Sequence, residues 1–324
     1  MEETNTTEMS LDYVTSGCVN NGETLKYECL TVPFGLKVFG AVCVGISLCG
    51  LVGNMLVVWF LGFHIKKSPF TVYVLNLAIA DFSLLLFLLA ILPLYIITEL
   101  YCNFLLKLLT QIIHITSILF LFWYFASMYL LTAISIERCL SVLFPIWYRC
   151  HRPRHLSGIV CGVLWTLAGL FIPLLIICYL NSLKKYFELL QCISIGNSLI
   201  FSLLPLFSNL FLFIRLRCGS QRRHPGRLYI TILLSAIFLF LFGFPLSVGL
   251  LLSPYCLDLI YLNISSLLSS LNSSINPLIY FLVGSWRQRR FQGSIKVAFQ
   301  RVFEEKAKNE KNHVPGDTTA ATSL

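Results

Sequence analysis

Charge is what this chain lacks most. Only 12% of its 324 residues are Asp, Glu, Lys or Arg, about half the share of an ordinary soluble domain. Its 57% hydrophobic content exceeds the roughly 45–50% of such domains. Packing that much apolar surface into a soluble core would need helices hydrophobic on every side, which soluble folds rarely use. Other absences exclude further classes. The chain does not open on a basic n-region followed by an apolar core; its first residues are acidic (Glu2, Glu3, Glu8, Asp12). The first hydrophobic run is therefore expected to act as its own insertion signal. No Asp or Glu stands between Glu188 and Asp258, and no cysteine follows Cys256, so lipid attachment in the tail is excluded. No inverted repeat is visible. Asp81 is the single charge at mid-depth of a hydrophobic run, whereas a transporter or channel needs a polar path across the bilayer. His114 stands alone where an intramembrane enzyme would need His or paired acids.

What is present is seven apolar runs, at about 34–62, 70–97, 104–137, 156–178, 191–216, 228–252 and 259–283. Each is long enough to cross the hydrocarbon core, about 20 residues as a helix. The fold class is an all-α membrane bundle of seven spans. Lys and Arg set its orientation. With the N-terminus outside, the inner segments hold 19 of the 24 basic residues, among them Arg138, Arg149, Arg152 and Arg154, and the outer segments hold 5. The net charge of +9 is thus a topological bias toward the inner membrane surface, and nucleic acid is not an expected partner. The chain divides into an outer segment 1–33, the bundle 34–283, a basic amphipathic stretch 284–303 and a polar tail 304–324. In the third part Phe291, Ile295, Phe299, Val302 and Phe303 recur at helical spacing between basic residues, the pattern of a helix lying on the inner leaflet.

Outside the membrane, Asn5-Thr6-Thr7 is a glycosylation sequon. Asn263-Ile264-Ser265 lies close to the bilayer, and Asn272-Ser273-Ser274 falls inside a span. Of the twelve cysteines, Cys178 and Cys192 flank one short loop at the outer ends of adjacent spans and are the first pair to consider for a disulfide. The alternative is two free thiols buried as small apolar residues.

Inside the bundle, an ionisable residue such as Asp81 is costly unless paired, hydrated or protonated. Ser127, Asn272, Ser273 and Asn276 are its candidate partners. Their oxygens would suit a small hard cation such as Na⁺ or a shared proton; a purely structural polar cluster is the plainer reading. Pro205, Pro245 (in Phe242-Gly243-Phe244-Pro245) and Pro277 interrupt the last three spans. Each removes a backbone bond and kinks its helix. The third span ends in Glu137-Arg138 before a loop holding Pro145, Arg149, His151, Arg152 and Pro153.

Gly53-Asn54, Leu77 to Asp81, Glu137-Arg138, Trp165, Pro205, Pro245 and Asn276-Pro277-x-x-Tyr280, in this order over seven spans, resemble a rhodopsin-like G-protein-coupled receptor. The runs Ser135 to Val142 and Pro145 to Pro153, Gly219-Ser220 before a basic loop, and Tyr280 to Ser285 are similar to Mas and Mas-related receptors. The departures fit that branch: Cys139 replaces the tyrosine after Glu137-Arg138, Gly243 replaces the tryptophan two residues before Pro245, and the usual cysteine near Ile113 is absent. The resemblance implies a bridge between the fourth and fifth spans, hence Cys178–Cys192. It implies binding of an extracellular peptide or small molecule, coupling to a heterotrimeric G protein and a place in the plasma membrane, with no cofactor beyond an allosteric Na⁺ at Asp81. Glu137, Arg138, Pro245, Asn276, Pro277 and Tyr280 would carry activation, with Glu137 holding Arg138 at rest.

Many relatives add an acid at the inner end of the sixth span; this chain has none there, which predicts ligand-free signalling. Phe120 stands where amine receptors carry an Asp, and Ser270 where retinal pigments carry a Lys, so both classes are excluded. Leu175 and Gln191 occupy the positions where some Mas-related receptors place acids for cationic ligands. The remaining ligand-contact candidates are Tyr95, Glu99, Trp123, Tyr124, Glu188, Gln191, Asp258 and Tyr261. A receptor-like protein without a ligand of its own is the alternative.

Overall fold

The computed structural model describes residues 34–65, 68–100, 105–153, 155–218, 227–243 and 259–285. Helix α1 (Phe34–Trp59) continues into a widened π turn, Phe60–His64. It is followed by α2 (Pro69–Leu100), α3 (Leu105–Leu143), the short α4 (Pro145–Cys150), α5 (Leu156–Asn181) and α6 (Leu183–Cys218). Then come α7 (Arg227–Phe238), continued by a second π turn at Leu239–Gly243, and α8 (Leu259–Ser285). No strand occurs among the described residues. Helices are the expected solution, because every backbone N–H and C=O must find a partner within its own segment in lipid. Glu2 to Asp12, Asn5, Pro245, Asp258 and the stretch 286–324 lie outside the described residues.

Among the described residues, four helical stretches are long and apolar enough to cross a membrane: Val38–His64, Pro69–Ile91, Gln111–Leu143 and Leu156–Asn181. Shorter apolar stretches lie in α6 (Leu203–Ile214) and in α7 with its π turn (Leu233–Phe242). The bundle is apolar on its outer surface and holds a set of polar side chains within its largely apolar core. Asn54, Asp81, Ser127, Asn272, Ser273 and Asn276 are buried, while Val52, Phe63, Ile159, Leu170 and Phe207 are exposed. A water-soluble protein would not expose so many large apolar side chains; helix association in lipid relies on close packing and interhelical hydrogen bonds.

Helix α3 is the hub. It packs against α2, α5, α6 and α7, and Tyr124, Phe125, Met128, Tyr129 and Leu130 on it are almost fully buried. On α1, Gly50 is held against α8: a Cβ there would collide with the Ser274 hydroxyl and stand 2.7 Å from Leu85 Cδ1. Gly53 meets Pro277 in the same way, at 3.0 Å. Asn54 fastens this contact by donating to Gly50 O and Ser273 O, both at 3.0 Å.

Two boundaries differ from the sequence reading. Tyr179–Leu190, expected as a loop, is helical except at Ser182, which is extended (φ −163°, ψ 118°). Lys184, Lys185 and Glu188 break the apolar run without breaking the helix. Their segment is rich in helix formers, and it buries Tyr186, Leu190 and Ile193 at spacings of three and four. Helix α6 is therefore 36 residues long, about 54 Å at 1.5 Å per residue, well beyond the hydrocarbon thickness. The third span likewise runs on past Glu137 to Leu143.

Candidate functional site

The inner end of α3 carries the charge pair, and each member turns to a different neighbour. Glu137 faces the loop that follows: its Oε1 accepts from Tyr148 Oη at 2.9 Å and from Arg152 Nε at 2.8 Å. Arg152 Nη2 adds a 2.6 Å ion pair to the same oxygen; the Nε bond is the better aimed of the two. Arg152 lies over the Tyr148 ring, 5.3 Å from its centroid. Pro145 at the first position of α4 sets that helix going, and it delivers Tyr148 to Glu137. Burial, and next the Glu137 carboxylate, push the Tyr148 phenol up to about 12, so it remains a donor throughout the physiological range.

Arg138, one residue on, points the other way. It is 7% exposed, its guanidinium sits 3.8 Å from the centroid of the Phe70 ring on α2, and its Nε has no hydrogen-bond partner among the described residues. The expected Glu137–Arg138 pair is not formed; Arg152 and Tyr148 hold the carboxylate through Oε1. Just above Arg138 a cavity of about 10 Å³, lined by Phe70, Leu131, Ser135, Ser235 and Tyr280 among others, separates α3 from α7 and α8. It is about the smallest space that holds one water molecule.

One level deeper, Asp81 on α2 is fully buried. Ser127 on α3 donates to its Oδ1 at 2.7 Å, and Asn276 on α8 donates to its Oδ2 at 2.9 Å. The Ser273 hydroxyl also reaches it. Asn272 is buried on the same helix. One carboxylate among neutral side-chain oxygens is the donor set of a monovalent hard cation; the residues fit Na⁺. No cluster of three or more His, Cys, Asp or Glu occurs among the described residues.

Further polar contacts tie α3 to the rest. Tyr129 Oη donates to Asn197 Oδ1 on α6 at 2.6 Å, Thr132 Oγ1 to Phe201 O at 3.0 Å, and Asn209 Nδ2 to Ser135 Oγ at 3.0 Å. Trp165 Nε1 on α5 donates to Asn76 Oδ1 on α2 at 3.0 Å.

The profile described as "7 transmembrane receptor (rhodopsin family)" matches residues 53–280. The mouse (Mus musculus) protein "Proto-oncogene Mas" is 38% identical over 302 residues, covering 87% of this chain and 89% of that protein. "Mas-related G-protein coupled receptor member D" of Macaca fascicularis is 37% identical over 333 residues, 97% of this chain and 96% of that one. The rat (Rattus norvegicus) member D is 41% identical over 286 residues, with 82% and 84% covered. The chain belongs to the Mas-related branch of the rhodopsin family. It is a multi-pass G-protein-coupled receptor and not an enzyme.

In this receptor, Glu137, Arg138 and Tyr280 gather at one end of the bundle, and Asp81, Ser127, Ser273 and Asn276 meet one level deeper. Pro277 packs on Gly53. Pro245 is outside the described residues, but the π turn Leu239–Gly243 lies directly before it, and such widened turns are frequent at functional sites. Of the outer set, the described side chains are Trp123, Tyr124, Glu188 and Gln191. Tyr124 is 1% exposed within the core. Trp123 packs on Phe87, Phe122 and Trp165, with ring centroids 4.8–6.3 Å away, at the junction of α2, α3 and α5. Glu188 is exposed beside Lys184, 3.9 Å away. Gln191 is half-buried on α6. Tyr95, Glu99 and Tyr261 lie on described helices, with side chains outside the described set.

Cys178 and Cys192, the pair expected to bridge, are not bonded to one another in this structure. Cys178 lies four residues before the Ser182 corner and Cys192 ten after it.

Residues that the sequence reading missed are Phe70, Tyr148, Asn197 and Asn209. Tyr148 lies on α4 and Arg152 in the loop after it, so no helical spacing marked the pair. Phe70 had no signal either, being one of 26 phenylalanines.

Proposed function

We propose that the receptor lies in the plasma membrane with its N-terminus outside and passes the binding of an extracellular peptide or small metabolite to a heterotrimeric G protein at the inner end of α3. The orientation rests on the 19-to-5 division of Lys and Arg. Binding outside and coupling inside act on one two-state bundle, whose equilibrium both sites bias. Activation swings the inner part of α7 outward near Pro245, opening the cavity under Tyr280 and freeing Arg138 to meet the G protein.

The carrying observation is the state of Arg138. It rests on an aromatic ring, with no acid opposite it among the described residues, so its restraint is weaker than an ion pair. This favours signalling without ligand. Asp81, Ser127, Ser273 and Asn276 would hold Na⁺ between α2, α3 and α8. Bound there, the ion supplies the positive charge that the buried carboxylate lacks and favours the resting bundle. The ligand class follows from what is missing: with Leu175 and Gln191 at the fourth- and fifth-span positions, a strongly cationic ligand finds no acid there.

Nucleotide exchange on purified G proteins tests this reading. Receptor in nanodiscs is expected to speed exchange on at least one Gα class, and Arg138→Ala to remove the acceleration. Acceleration that survives Arg138→Ala would overturn the mechanism.

A further inference from the structure

The Glu137 carboxylate has two cations within reach and takes the more distant one in sequence. Arg138 is its chain neighbour, yet Oε1 is filled by Arg152 at 2.6 and 2.8 Å and by Tyr148 at 2.9 Å. Both charged partners are buried, with side-chain exposures of 4% for Arg152 and 7% for Glu137. A buried carboxylate that loses its partner is strongly unfavourable and must take up another. The nearest other cation on its own helix is Arg138, which has an unpartnered Nε and only the Phe70 ring beneath its guanidinium.

We infer that Arg152, with Tyr148, is a positioning pair that keeps Glu137 away from Arg138 and so sets the ligand-free activity of the receptor. The inference rests on the reading of Arg138 as the transducing residue. Arg152 acts through Glu137 alone. Removing it turns Glu137 back onto Arg138, forms the lock that the sequence suggests, and lowers basal signalling. The dependence on Glu137 is the informative part. A residue that merely supported the fold of the loop, or that touched the G protein, would also lower signalling when removed, but its effect would not depend on Glu137.

The test is a double-mutant cycle on purified receptor in nanodiscs, with matched folded fractions, read as ligand-free nucleotide exchange on the responsive Gα subunit. Arg152→Gln is expected to lower the basal rate about fivefold, the lower end of typical coupling between sites, and Arg152→Lys to restore it. Tyr148→Phe lowers the rate by a smaller factor and serves if Arg152→Gln does not fold. The Glu137→Gln, Arg152→Gln double variant should match Glu137→Gln alone. An unchanged or raised rate in Arg152→Gln overturns the inference, as does an equal loss with and without Glu137. Arg138→Ala run alongside separates the two claims. If that variant keeps exchange, the transduction reading has failed; if it loses exchange while Arg152→Gln does not, only the positioning role has failed.

Discussion

Arg138 is a fully ionised side chain packed among apolar neighbours, and Phe70 is its nearest counterweight. A desolvated cation–π contact contributes about 2 kcal/mol. Truncating one partner of a buried ion pair costs about 3–5 kcal/mol, so a ring is the weaker restraint. Phe70→Leu keeps the apolar volume and removes the ring's charge distribution. It should raise ligand-free exchange, by up to about 30-fold if the full 2 kcal/mol is lost; an unchanged rate would show that Phe70 does not restrain Arg138. At the same scale, Gly50 has no room for a side chain beside Ser274 and Leu85. Gly50→Val should destabilise the detergent-solubilised receptor by about 1–3 kcal/mol, the usual cost of overpacking, read as a lower Tm. A Tm equal to wild type would mean that α1 and α8 are less closely packed than described.

Between helices, hydrogen bonds from α3 do much of the fastening, since lipid tails are as apolar as the side chains and supply no hydrophobic drive. Tyr129→Phe deletes the 2.6 Å bond to Asn197 and leaves a buried amide without its donor. The expected loss is about 0.6–1.7 kcal/mol, the range measured for such bonds within membranes, again as a fall in Tm; no change would show that Asn197 finds another partner. The elements themselves were legible wherever apolar runs were long. Helices α1, α2, α3 and α5 follow their runs closely, because a span must be uniformly apolar. The junction of α5 and α6 was not legible. Lys184, Lys185 and Glu188 end the apolar run, yet an exposed helix tolerates them, and Tyr186, Leu190 and Ile193 continue the buried face. Hydrophobicity marks where lipid ends, not where a helix ends.

For the whole molecule, the Asp81 cluster was legible because an acid at mid-depth demands partners, and the span order limited the choice to α3 and α8. The partner of Glu137 was not, because Arg152 reaches it through a turn of α4 and a loop that no periodicity describes. What the molecule senses was less legible: Tyr124 is buried and Trp123 packs on Phe87, Phe122 and Trp165, and an aromatic run in a span marks packing rings and ligand-facing ones alike. The Asp81 cluster nonetheless predicts a property of the intact receptor. Replacing Na⁺ by N-methylglucamine at constant ionic strength should raise basal exchange, and Asp81→Asn should remove that sensitivity. Equal sensitivity in wild type and Asp81→Asn would place any sodium effect elsewhere. The most direct test of the unlocked Arg138 needs no variant at all. Ligand-free nucleotide exchange is measured on a panel of purified Gα subunits with wild-type receptor nanodiscs and with empty ones. Exchange above the empty-disc rate is the predicted result for at least one Gα; rates equal to the empty discs across the panel would contradict it.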